Sequence, residues 1–264
     1  MSGVLDAILE QKKAEVWKLR SAPSYVRVPA GPRGSVFDTL RRPAGAPLHL
    51  IAEIKKRSPS AGALSTALDA EGRALRYARA GASMISVLTD EKFFAGSWHD
   101  LVDARLALDK ASLPAPLLAK EFVIDERQLA EAAACGADAA LLIARITPPD
   151  RLAKLASAAR DLRLEPLVEV VTEEELGWAL EAGARVIGVN ARDLDTLAMD
   201  GARAARVLDA IPRDRVAVHL SGLKTPADVT AVARSRADAA LIGEALMRED
   251  DPTELLRAFV SAAA

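Results

Sequence analysis

From residue 49 to the carboxyl terminus, short runs rich in Val, Ile, Leu and Ala alternate with stretches whose apolar residues recur at helical spacing. Parallel strands need a long crossover between them, and a helix supplies it, so this alternation reads as successive β–α units on a parallel sheet. The spacing predicts strands over 49–56, 84–89, 117–122, 139–144, 166–171, 186–190, 216–220 and 239–243. These make about eight units, the number that closes a TIM (β/α)8 barrel. A chain of 264 residues, half of them hydrophobic (50%), is long enough to bury such a core as one domain.

A weak internal repeat supports closure. YARAGASMISV, EAAACGADAALLI, ALEAGARVIGV and ARSRADAALIG each put a helix end directly before an even-numbered strand. Gly81, Gly136 and Gly183 stand where a left-handed helix cap is expected, and Arg236 takes that place in the fourth copy. Repetition every two units fits a closed barrel better than an open, doubly wound sheet, the alternative that the pattern alone allows.

The first 48 residues fall outside the alternation. Val4, Leu5, Ile8 and Leu9 form one side of a helix expected from residue 4 to about 20, followed by a connector rich in Pro and Gly (Pro23, Pro29, Gly31, Pro32, Gly34, Pro43, Gly45, Pro47). The expected organisation is an amino-terminal helical extension, 1–48, packed on a barrel of residues 49–264, the whole forming a single domain.

Four of the apolar runs end in polar or charged groups: IAEIKK, LLAKEF, LVEV and IGVNAR. Side chains alternate along a strand, so Glu53 and Lys55 share the inner face of the first, with Leu50, Ala52 and Ile54 toward the helices. Lys120 faces inward with Leu118 and Phe122, Glu169 with Leu167 and Val171, and Asn190 and Arg192 leave the sixth strand on that same side. All lie at carboxyl ends, where barrels carry their active sites. A salt-bridge network closing the barrel mouth would account for any one of them. Recurrence on several strand ends points instead to two lysines and two carboxylates gathered for acid–base work.

Turns bearing glycine follow the last two strands, SGLKTP with Gly222 and IGEALMRED with Gly243, and suit a phosphate held by backbone amides. SPSAGAL, from Ser58 to Leu64, adds a hydroxyl on a loop able to fold over a ligand. Other readings fail. Ser221 and Lys224 match SxxK without its partner motifs; His49, His99 and His219 lack metal-ligand spacing; no GxGxxG or P-loop is present. Net charge is −2 and the pI about 6.0, without the basic footprint of a nucleic-acid binder. Cys135 is the single cysteine, expected as a buried packing residue, and no apolar run resembles a signal peptide or membrane span. The expectation is a cytoplasmic protein with a small-molecule partner and no membrane or nucleic-acid partner.

IAEIKKRSPSAGAL, SVLTDEKFFAGS, LAKEFVID, PLVEV, IGVNARDLDTL and ALIGEALMRED resemble, in order and spacing, the motifs of the indole-3-glycerol phosphate synthase family, and the resemblance covers essentially the whole chain. It implies closure of 1-(2-carboxyphenylamino)-1-deoxyribulose 5-phosphate to indole-3-glycerol phosphate, with loss of carbon dioxide and water and without metal or organic cofactor. Separately, the expected assembly is a monomer or weak oligomer. By that resemblance Lys120 is the general acid on the ketone oxygen, Lys55 holds the substrate and serves the dehydration, and Glu169 is the base. Glu53 and Asn190 position the lysines and sugar hydroxyls; Arg192, Ser221, Gly222 and Gly243 surround the phosphate; Ser58 and Phe122 contact substrate.

Two departures stand out. Where the family ends its seventh strand in a glutamate before the SG pair, this chain has Leu220. Where the family reads KDF it has KEF, with Glu121 expected to face outward. Leu220 keeps open a paralogue that binds the ligand without turning it over; a phosphoribosyl isomerase on the same barrel is the other alternative.

Overall fold

A computed structural model describes residues 4–19, 28, 34–58, 62–192 and 198–264. Within it eight parallel strands close into a barrel: β1 (His49–Ile54), β2 (Met84–Leu88), β3 (Leu117–Lys120), β4 (Ala139–Ile143), β5 (Glu165–Val170), β6 (Val186–Val189), β7 (Val216–His219) and β8 (Ala239–Ile242). Closure is between first and last, with His49 opposite Ala239 and Ile51 opposite Leu241. Most strands stop one or two residues short of their apolar runs, so Glu53, Lys120 and Glu169 sit within the ladder near its carboxyl end, while Lys55, Phe122, Asn190 and Gly243 lie just beyond it.

The pleat sorts the core into two. Ile51, Met84, Leu118, Leu141, Leu167, Val186, Val218 and Leu241 fill the barrel interior. Leu50, Ala52, Ile54, Ile85, Val87, Leu142, Val168 and Ile187 pack outward against the helices. The outer shell contains α3 (Ala70–Arg79), α5 (Trp98–Lys110), α6 (Glu126–Ala134), α7 (Pro149–Asp161), α8 (Glu173–Glu181), α9 (Gly201–Ala210), α10 (Pro226–Ala233) and α12 (Thr253–Ala262). Two short helices, α4 (Glu91–Phe94) and α11 (Glu244–Arg248), sit on the carboxyl-terminal rim.

Gly81, Gly136 and Gly183 have φ of 101°, 90° and 72°, the left-handed caps the repeat predicts. Arg236 does something else. Its guanidinium, 2.7 Å from Asp238 Oδ2, donates to the carbonyls of Ile211, Pro212 and Arg215. Asp238 in turn accepts the Ala217 N–H at the foot of β7 (2.7 Å), just as Asp138 accepts the Leu117 N–H at the foot of β3 (2.8 Å). The fourth copy thus exchanges a backbone cap for a buried arginine that ties down carbonyls otherwise left without donors.

The extension divides between the two ends of the barrel. In α2 (Val36–Leu40), Val36 and Leu40 join the interior core, and the Phe37 ring lies between the guanidinium groups of Arg41 (5.6 Å) and Arg185 (5.1 Å). Arg185 directly precedes β6, so α2 plugs the amino-terminal end. Helix α1 (Val4–Lys18) lies at the opposite mouth, where Leu5 and Ile8 are buried. Of the connector between them, Val28 is described: it is buried, and its N–H reaches the Ala134 carbonyl at the end of α6 (2.9 Å). Pro23, Pro29, Gly31 and Pro32 lie outside the described residues. Among the described residues, no helix is long and apolar enough to cross a membrane.

Candidate active site

A cavity of about 200 Å³ opens at the carboxyl ends of the strands, under α1. Its walls include Glu53, Lys55, Ser58, Lys120, Phe122, Glu169, Asn190, Arg192, Ser221, Gly222 and Gly243, so every expected site residue meets in one place. Pro59, Ser60 and Ala61 of the loop after β1, and residues 193–197 beyond Arg192, are outside the described residues.

Glu53 organises the cationic side. Its Oε1 is 2.6 Å from Lys55 Nζ and its Oε2 3.4 Å from Lys120 Nζ, so one carboxylate bridges both lysines. Burial alone would raise the Glu53 carboxyl, but the charges and hydrogen bonds of Lys55 and Lys120 outweigh it and hold it below the ordinary range. For Lys120, burial acts to lower the ammonium, and the charges of Glu53 and then Glu169, with the hydrogen bond to Glu53, carry it above the usual lysine value. Lys120 therefore keeps its proton and its charge at neutral pH. Gly243 is small for a local reason: a methyl group there would run into Glu53 Oε1 and come within 3.2 Å of Lys55 Nζ.

The other side is a relay of hydrogen bonds. Asn190 Nδ2 donates to Glu169 Oε1 (3.0 Å), while Asn190 Oδ1 accepts from Ser221 Oγ (2.7 Å) and from the Arg192 N–H (2.9 Å). Ser221 Oγ accepts the Ala191 N–H (3.1 Å). These bonds fix the amide orientation of Asn190, and with it the angle at which Glu169 faces the cavity. Gly222, at φ 94°, makes the turn after β7 that only a residue tolerant of the left-handed region makes cheaply.

Leu220, 3% exposed, forms part of the apolar wall. Its Cδ1 would lie 2.5 Å from a methyl group at Gly188, and Leu167 Cδ2 2.9 Å from the same point, so both side chains fill the space left by the absent Cβ. The position at which the resemblance implies a glutamate is packed hydrocarbon.

Glu121 corrects the sequence reading. It does not face outward: it is 3% exposed, lines the cavity, and lies 2.8 Å from Lys12 of α1. Strand β3 ends at Lys120, so the period of two no longer governs the next residue. Leu5, Ile8, Phe94, Lys224 and Glu244 also line the cavity and were not singled out for it. The apolar face of the extension was visible in the sequence, and Asp90 before Phe93 and Phe94 carries a helix-start signal. Their convergence on one site is a long-range fact with no local sign. Among the described residues, no group of three or more His, Cys, Asp or Glu could hold a metal ion.

Solved structures with this architecture include the tryptophan synthase alpha chain from Legionella pneumophila, with TM-score 0.63, 14% identity, and 86% of this chain and 95% of that one covered. A 3-hexulose-6-phosphate synthase has TM-score 0.61 at 19% identity, over 82% and 100%. Such identities speak to the fold alone. Sequence relatives are more specific. An indole-3-glycerol phosphate synthase of Mycobacterium avium is 40% identical over 264 residues, covering 98% of this chain and 94% of that protein. One from Kineococcus radiotolerans is 45% identical over 215 residues, 81% and 77% of the two chains. The family model described as indole-3-glycerol phosphate synthase matches residues 5–259, a span that takes in both the helix over the barrel mouth and every side chain of the cavity. The chain belongs to the indole-3-glycerol phosphate synthase family.

Proposed function

We propose that the protein closes 1-(2-carboxyphenylamino)-1-deoxyribulose 5-phosphate to indole-3-glycerol phosphate, and that Lys120, Lys55 and Glu169 carry its proton transfers. The observation that carries the assignment of roles is the Glu53 carboxylate bridging two lysines across the cavity from Glu169.

The chemistry asks for three things in one pocket. As the aromatic carbon bearing the carboxylate attacks the ketone, negative charge grows on the ketone oxygen, and Lys120 gives it a proton. The carboxylate then leaves as carbon dioxide, its electron pair restoring the benzene ring. Lys55 protonates the new hydroxyl, which departs as water, and Glu169 removes the proton from the former methylene carbon to complete the indole. Two protons are given and one taken, so each turnover consumes one, as replacing a carboxylate by neutral carbon dioxide requires. Asn190 holds Glu169 in line, Ser58 and Phe122 contact substrate, and Arg192, Ser221, Gly222 and Gly243 receive the phosphate.

The binding-only alternative is not favoured. Leu220 removes one carboxylate, yet the lysine pair, Glu53 and Glu169 stand together in the cavity, and relatives named as synthases match nearly the whole chain. An isomerase of phosphorylated sugars would leave the second lysine without a task. Purified protein mixed with the carboxyphenylamino deoxyribulose phosphate is expected to give rising indole fluorescence with equimolar carbon dioxide. Binding by calorimetry without either signal would reject the activity.

The lysine cluster also sets a pH limit. Because Lys120 sits above the ordinary value of 10.5, the acid form persists through that pH and activity falls only as pH rises through the raised value. Glu53→Gln removes the larger of the two charges that raise it while burial remains, so the alkaline limb of kcat/KM is expected to move to lower pH. A profile superimposable on the parent's would dissociate that limb from Lys120.

A further inference from the structure

Lys12 is buried, 1% exposed, on a helix that otherwise shows lysines to solvent. Its Nζ lies 2.8 Å from a carboxylate oxygen of each of Glu15, Asp90 and Glu121. One ammonium meets three carboxylates, donating to Glu15 and paired by charge with Asp90 and Glu121, which accounts for a lysine in a place where an unpaired ammonium would be prohibitively costly. Two of the partners lead directly to the cavity. Asp90 accepts the N–H groups of Phe93 (2.7 Å) and Phe94 (3.2 Å) and so begins α4, from which Phe94 reaches the cavity. Glu121 follows Lys120 in the chain and accepts from Thr89 Oγ1 (2.9 Å) and the Phe122 N–H (2.7 Å). The Phe122 and Phe94 rings are 5.9 Å apart. The helix that carries Lys12 presents Leu5 and Ile8, seven and four residues earlier on the same face, to the same cavity.

Three separate pieces of apolar wall, from α1, α4 and the end of β3, are thus held to one another by a single ammonium group. The turns assigned to phosphate, at Gly222 and Gly243, follow β7 and β8 on another arc of the rim. We propose that Lys12 is a positioning residue for the aromatic end of the substrate: it fixes Leu5, Ile8, Phe94 and Phe122 as the surface on which the carboxyphenyl ring rests, and leaves the phosphate end alone. The proposal rests on the substrate assignment above.

The test separates the two ends. For the full chain and its Lys12→Met variant, competitive inhibition constants are measured for N-(2-carboxyphenyl)glycine, the aryl end without its sugar phosphate, and for inorganic phosphate. Both are taken at a temperature where circular dichroism shows each protein folded. The expected result is a rise of about tenfold or more for the aryl compound, since small misplacements of a binding surface are amplified, with phosphate inhibition changed by less than about twofold. Equal changes at both ends, or none, would overturn the proposal and leave Lys12 a structural tether. If Lys12→Met does not yield folded protein, Lys12→Arg keeps the charge but displaces the helix, and the same selective loss is expected; a uniform change again overturns it. A parent that neither turns over substrate nor binds the aryl compound would instead overturn the substrate assignment on which the proposal stands.

Discussion

Replacing Lys120 with alanine is expected to lower kcat by about 10²–10⁴-fold, the usual worth of a positioned general acid. The chain should remain folded, because the carboxylates around Lys120 keep partners: Glu53 has Lys55 at 2.6 Å and Glu169 has the Asn190 amide at 3.0 Å. Losing an ammonium that burial penalises and Glu53 and Glu169 restore removes a donor, not a packing element. KM should move far less than kcat, since the proton is needed where charge develops on the ketone oxygen and not where the ground state is bound. Initial rates by indole fluorescence, with circular dichroism on the same samples, make the comparison. Activity above a tenth of the parent's would remove Lys120 from the role and pass it to Lys55, the other lysine on the same carboxylate.

Much of this site is legible in the chain because a strand's period of two is rigid. Once IAEIKK is placed as a strand with Ile51 inward, Glu53 follows on the same face, and the same step places Lys120 from Leu118 and Glu169 from Leu167. Legibility ends where the ladder ends. Glu121, one residue past β3, is free of the pleat and turns toward Lys12, and a rule valid at Lys120 gives the wrong face for its neighbour. Lys12 itself sits among Gln11 and Lys13 in a stretch that reads as a solvated helix face. What buries it is a contact with residues some eighty and a hundred positions away, and no local pattern encodes that distance. Arg236 is opaque for a related reason: apart from Asp238, two residues on, its acceptors are carbonyls, which leave no trace in side-chain identity. The absence of a family glutamate at Leu220 was visible, but not its packing over Gly188, which only the fold displays.

Glu169→Gln is the sharper test of the base. The cavity is lined by four carboxylates among the described residues, Glu53, Glu121, Glu169 and Glu244. Glu53 is engaged by Lys55 and Lys120, Glu121 by Lys12, and Glu244 by Arg248 at 2.7 Å. Glu169 alone of the four makes no ion pair among the described residues: an amide holds it, with the Lys120 charge nearby, so its lone pairs are the ones able to take a proton from carbon. Leu220 contributes no carboxylate beside it, so among the described residues that arc offers no second acid to substitute. Glutamine keeps the volume, and its carbonyl can accept from Asn190 Nδ2 as Glu169 Oε1 does, so the relay through Asn190 and Ser221 should survive. The expected loss in kcat is therefore about 10²–10⁴-fold with little change in stability. Because the base is needed after carbon dioxide has left, the variant should also uncouple the two halves of the reaction: a single-turnover mixture is expected to release carbon dioxide ahead of indole, with the hydroxyindoline accumulating between them. Carbon dioxide and indole falling together would place Glu169 at ring closure instead, and parent-like rates for both would leave the deprotonation to solvent water.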